Sequence, residues 1–154
     1  MRHKTAAPLS FALGEGKHDM TKAECLAIES AARAAVGRAF NCTPKSYNIS
    51  FPNSGASHEF DVYVAGLVIG GVSTSPLTTG GGNRNTGGCD RACSELLWLV
   101  LWPGNETRVH VLTDRALADW LVKRYQGIPF PHPITIYYYE LALDALAEVG
   151  ILRA

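Results

Sequence analysis

The segment Thr107-Arg108-Val109-His110-Val111-Leu112-Thr113-Asp114-Arg115-Ala116-Leu117 changes its period halfway along. Val109 and Val111 fall on one face of an extended stretch over 107–113, the spacing of a strand in a sheet. Asp114 stands where that strand ends, and a helical pattern runs from Arg115 to Tyr125. A strand feeding straight into a helix is half of a crossover, the connection that parallel strands need. Downstream, Gly127-Ile128-Pro129-Phe130-Pro131-His132-Pro133 cannot be regular structure, because its prolines remove donors and fix φ. Ile134 to Tyr138 is β-branched and aromatic and completes the unit as another strand.

Working outward, Glu140 to Val149 is rich in Ala and Leu, which predicts a closing helix with Gly150 at its end. Upstream, a helix is expected over 91–102, capped by Asp90 and stopped by Pro103-Gly104-Asn105. Before it lies Ser75–Gly88, a Gly/Thr/Asn-rich loop of the length that often carries function. Three short strands precede the loop. Tyr47, Ile49 and Phe51 alternate in the first, His58, Phe60, Val62 and Val64 in the second, and the third starts at Leu67-Val68-Ile69. Pro52-Asn53-Ser54-Gly55 and Ala65-Gly66 are the turns between them. Thr21-Lys22-Ala23-Glu24 is a capping box opening an Ala-rich helix over about 22–39.

The expected fold is α/β: one mixed five-stranded sheet in the order β-β-β-α-β-α-β-α, with an extra N-terminal helix. Residues 1–20 read as an irregular arm and 21–154 as a single domain with its core at 46–150. At 154 residues there is room for one core and no need of staples. Lys plus Arg and Asp plus Glu each number 14, so the chain is neutral and is not a basic nucleic-acid coat, although one basic face remains open to it. No apolar run approaches a membrane span, and no signal-peptide pattern follows the basic start, so a cytoplasmic protein is expected. The cysteines, Cys25, Cys42, Cys89 and Cys93, form no C-x-x-C pair and read as reduced thiols. Cys89 and Cys93 share a helix face and would bind zinc only together with His58 or His110, but the spacing matches no common zinc motif.

Two carboxylates stand where an α/β sheet usually holds its site, at the carboxyl ends of parallel strands. Asp114 ends the fourth strand, and Glu95 lies in the first turns of the helix after the glycine loop. Brought together they would repel, and Mg²⁺, which takes one or two carboxylates plus phosphate oxygens, would relieve the repulsion. The plainer reading makes Asp114 a helix cap and Glu95 a partner of the helix dipole.

Arg91-Ala92-Cys93-Ser94-Glu95-Leu96-Leu97 resembles the helix start of ribonuclease H, where a catalytic Glu follows an Asn/Arg-rich loop. Val109 to Leu117 resembles its fourth strand, ended by a Thr-Asp pair, here Thr113-Asp114. The resemblance covers about 46–150 in the order of elements and two short stretches in residues. It implies a Mg²⁺- or Mn²⁺-dependent nuclease, with Glu95 and Asp114 as metal ligands and Asp144 or Glu140 as a further acid. Arg84, Asn85 and Arg91 would touch nucleic acid. The family's first Asp maps to Asn53, a neutral side chain that holds a cation less strongly, and Asp61 would replace it only if the second strand were displaced. The resemblance requires the first strand to lie beside the fourth, so that Asn53, Glu95 and Asp114 converge. The alternative is a non-catalytic domain of the same fold that binds protein or nucleic acid and assembles, with Trp98, Trp102 and Trp120 as an apolar surface. A third reading is a thiol enzyme using Cys89 or Cys93 with His58.

Overall fold

The computed structural model describes residues 19–51 and 53–154, so most of the expected arm at 1–20 lies outside the described residues. In chain order the elements are α1 (Lys22–Phe40), β1 (Lys45–Ser50), β2 (Ser57–Val64), β3 (Val68–Ser73), α2 (Thr86–Leu101), β4 (Thr107–Leu112), α3 (Arg115–Tyr125), β5 (Ile134–Glu140) and β6 (Ala145–Leu152). The class is α/β with one mixed sheet, as expected. Among the described residues the strands number six rather than five and lie in chain order across the sheet, β1-β2-β3-β4-β5-β6. β3, β4 and β5 run parallel to one another through the α2 and α3 crossovers, while the β1–β2, β2–β3 and β5–β6 pairs are antiparallel.

Two expectations fail here. The stretch expected as a closing helix forms a turn and then β6. Asp144 takes a left-handed φ of 46°, and Ala145–Leu152 pairs along β5. Local Ala/Leu preference is worth tenths of a kcal/mol per residue, and a full cross-strand ladder outweighs it. The first strand also does not lie beside the fourth. β3 takes that place, and β1 is the sheet edge, three strand spacings or about 14 Å from β4.

α1 covers one face of the sheet and α2 with α3 the other. On the α1 side Ala32, Ala35 and Val36 meet Val62, Val68, Val109, Val111 and Tyr139. Small residues on the buried stripe let this helix sit close to the sheet. At Gly37 an added Cβ would lie 2.7 Å from the Cys42 carbonyl, so only glycine fits. The capping box forms, with Thr21 N–H donating to Glu24 (2.7 Å) and Glu24 N–H donating to the Thr21 hydroxyl (3.2 Å). On the opposite face Ala92, Leu96, Leu99, Leu117 and Leu121 pack on Phe60, Ile69, Leu112, Ile134 and Ile136. The buried Arg108 closes the end of α2 by donating to the Leu99, Trp102 and Gly104 carbonyls. The Leu99 and Trp102 carbonyls are ones that a helix C-terminus leaves unpaired, and Gly104 belongs to the turn that follows.

α2 begins earlier than Asp90. Asn85 is its cap, accepting from Gly88 N–H at 3.2 Å. Glu95 is therefore in the middle of the helix, beyond the reach of the dipole effect of the first turn.

Candidate functional site

The site is made by an irregularity in β2. Lys45 pairs with Tyr63 and Tyr47 with Phe60, so β2 carries one residue more than β1 between these pairs. Such a bulge turns the strand over. Phe60 joins the core under α2, whereas Val62, two residues on, joins the core under α1. Asp61 sits at the inversion. Its carboxylate accepts from Val72 N–H at 2.7 Å, and its main-chain carbonyl accepts from Arg33, which is paired with Glu29.

His58 projects from β2 toward α2. Its Nε2 lies 2.9 Å from Glu95 Oε2, within ion-pair reach though without hydrogen-bond alignment. The imidazole stacks on Trp98 with ring centres 4.8 Å apart and planes 8° from parallel, and Trp98 stacks in turn on Phe51. Glu95 lies over Gly71, where no side chain has room, because an added Cβ would collide with the Glu95 carboxyl. Gly71 is paired in register with His110 on β4. His110 is fully buried, and neither of its ring nitrogens has a partner. Glu95 Oε1 is likewise buried and unpartnered.

Burial raises the Asp61 carboxyl from its ordinary 3.8 to about 6. The Val72 N–H opposes the rise, Glu29 and Glu95 add to it, and Arg33 subtracts. Burial lowers His110 to about 4, against a smaller opposing pull from Glu95. Around these groups lies a cavity of about 360 Å³ whose wall includes His58, Asp61, Glu95, Arg91, Ser73 and Ser94. Arg91 donates to the Ser75 hydroxyl at 3.0 Å at its rim.

The sequence-derived residues are dispersed. Glu95 is in the cavity. Asp114 is the first residue before α3 but makes no cap bond; its carboxylate instead accepts from Leu77 N–H at 2.7 Å and pins the glycine-rich loop. Asn53 is at the tip of the β1–β2 hairpin with φ 66°, a conformation Asn tolerates in turns. Asp144 is exposed in the β5–β6 turn, bonded to the Tyr139 hydroxyl (2.7 Å) and Arg38 (2.9 Å), which hold its carboxyl below the usual range. Arg38 belongs to α1, on the sheet face away from Glu95. The expected convergence of Asn53, Glu95 and Asp114 loses its basis, because β3 rather than β1 neighbours β4 and Asp114 is engaged by the loop.

Among the described residues no three His, Cys, Asp or Glu side chains come together to hold a metal ion. The donor set does not fit the Mg²⁺ centre implied by the resemblance, nor a zinc site at Cys89 and Cys93. The tryptophans form no common apolar surface: Trp102 is buried, Trp98 lies between Phe51 and His58, and Trp120 packs beneath arginines. Asp61, and His58 as partner of Glu95, were not legible as a site. The regular His58-Phe60-Val62-Val64 alternation conceals the bulge, and no local signal marks it. No described helix is long and apolar enough to cross a membrane.

Comparison with known proteins found no matching family model, no matching curated protein and no matching solved structure.

Proposed function

We propose that the protein cleaves RNA phosphodiesters by acid–base chemistry in the β2–α2 cavity. The observation that carries this reading is the His58–Glu95 pair beside Asp61, a carboxyl held at about 6. A carboxyl with a raised proton affinity beside a second acid–base pair in one cavity is what proton transfer requires. The His58–Glu95 pair takes the proton from a 2′-hydroxyl, whose oxygen then attacks phosphorus. The P–O5′ bond breaks, and protonated Asp61 donates its proton to the leaving oxygen. Arg91 at the rim holds the phosphate charge, a task that suits guanidinium geometry. The sequence resemblance to ribonuclease H bears on the substrate class by analogy only, because the closing helix it implies is a strand and the strand order across the sheet differs from the one it requires.

The test is cleavage of labelled single-stranded RNA, DNA and a hybrid, with Mg²⁺ and with chelator. RNA cleavage is expected to persist in chelator, to fall about 10²–10⁴-fold in His58→Asn and Glu95→Gln, and to decline as pH rises above Asp61's value. No cleavage of RNA, or cleavage unchanged in His58→Asn, would overturn the proposal. The engagement of Asp114 by the loop amide of Leu77 argues against the metal-dependent nuclease and leaves a non-catalytic domain for binding and assembly as the second reading. Wild-type binding without turnover would support it.

A further inference from the structure

We propose that the exposed side of α3, together with the glycine-rich loop before α2, is a binding surface for single-stranded RNA that leads into the cavity. This rests on the RNA reading above for the choice of polymer. Trp120 on α3 is flanked by two guanidiniums, Arg84 from the loop at 5.6 Å and Arg124 from the next turn at 5.3 Å. Arg124 also lies 5.8 Å from the Tyr125 ring, and Arg115 lies 6.0 Å from Tyr138 on β5. Of these arginines only Arg115 has a carboxylate partner among the described residues, Asp119 at 3.0 Å. Lys123 adds a further exposed positive charge on the same helix. In a chain of zero net charge, this gathers uncompensated cations on one side.

A guanidinium laid on an aromatic ring keeps its edge N–H groups free for phosphate oxygens and offers its own plane to a base. Such stacking needs unpaired bases, since a duplex hides their faces. The loop holding Arg84 is tied to the rest of the fold by Leu77 N–H donating to Asp114, and closed on itself by the Asn85 side-chain amide donating to the Pro76 carbonyl at 3.0 Å and Asn85 N–H donating to the Leu77 carbonyl at 2.9 Å. At the loop's other end Ser75 and Arg91 line the cavity. A strand lying on Trp120 and Arg84 would follow this loop toward Ser75 and Arg91 at the cavity wall. Asp114, unnecessary to a metal centre, has a role here as the anchor of that path.

The experiment is fluorescence anisotropy with the full chain and a labelled twelve-nucleotide uridine RNA across a salt series. Unlabelled RNA, the same sequence in a duplex, and polyglutamate serve as competitors. Arg84→Ala and Arg124→Ala are each expected to weaken binding roughly tenfold, and to lower the salt slope by about one each. Arg84→Lys should keep the slope and lose affinity, because it retains the charge and loses the plane. Affinity and slope unchanged in the double variant, or competition by duplex or polyglutamate equal to that of unlabelled RNA, would overturn the proposal. Cleavage with unchanged binding in the arginine variants defeats this surface and leaves the catalytic reading standing. Arginine-dependent binding without cleavage does the reverse.

Discussion

Asp61→Asn should stabilise the protein at pH 8 by about 3 kcal/mol, because the wild-type carboxylate is ionised there in a buried position. The rise from 3.8 to about 6 corresponds to about 3 kcal/mol between the two protonation states. The Asn side-chain oxygen can still accept from Val72 N–H, so the variant loses the charge and keeps the bond. Because the folded value lies above the unfolded one, this contribution to stability is fully present below pH 3.8 and is lost as pH rises through about 6. His110 works the other way. Its folded value, about 4, lies below the unfolded 6.5, so its contribution is present above pH 6.5 and is lost as pH falls through about 4.

The two slopes oppose one another. Between pH 8 and pH 5 Asp61 adds about 1.4 kcal/mol to the wild type, while His110 removes about 2 kcal/mol. The wild type should therefore change little over that range. Asp61→Asn exposes the His110 slope alone and should lose about 2 kcal/mol. Urea unfolding followed by circular dichroism at pH 5, 6, 7 and 8 measures both curves. A variant no more stable than wild type at pH 8, or one whose advantage is the same at pH 5 as at pH 8, would refute the reasoning. Catalysis should be lost in the same variant, so the stable protein would be the inactive one, as expected where a site carries an unfavourable charge.

Gly71→Ala drives a Cβ into the Glu95 carboxyl and should displace Glu95 from His58, costing about 1–3 kcal/mol and abolishing cleavage; wild-type turnover in this variant would remove Glu95 from the mechanism. Arg108→Met leaves the Leu99, Trp102 and Gly104 carbonyls without their donor and should cost about 3 kcal/mol by urea unfolding, with a loss under 1 kcal/mol counting against the cap. Asn53→Asp should not create Mg²⁺ binding detectable by calorimetry, because β1 does not lie beside β4 and Asp114 is engaged by the Leu77 amide; a clear binding isotherm would revive the metal centre. Asp114→Ala should speed hydrogen exchange at the Leu77 amide about tenfold or more, and an unchanged rate would show that the loop is held by other bonds.

Local signals were enough for much of the fold. Thr21 and Glu24 announce the start of α1 because a capping box is made within four residues. Val109 to Tyr125 reads as strand then helix because periods of two and of 3.6 are written in adjacent residues. The α/β class follows from those periods and from the prolines and glycines between them. β6 was hidden because its Ala and Leu residues favour a helix in isolation and become a strand only against β5. The order of strands was equally hidden, since both β1 and β3 are short, antiparallel to β2 and able to offer an edge to β4. The site is a tertiary product throughout. Glu95 stands out by its position, but its partner His58 is 37 residues away on a strand whose bulge no local pattern marks. The carboxylate beside it, Asp61, acquires its proton affinity chiefly from burial, with the carboxylates of Glu29 and Glu95 on the two helices adding to it. Period, capping and turn chemistry act over a few residues and are therefore legible one residue at a time; burial and register depend on which distant segments meet, and only the assembled sheet decides that.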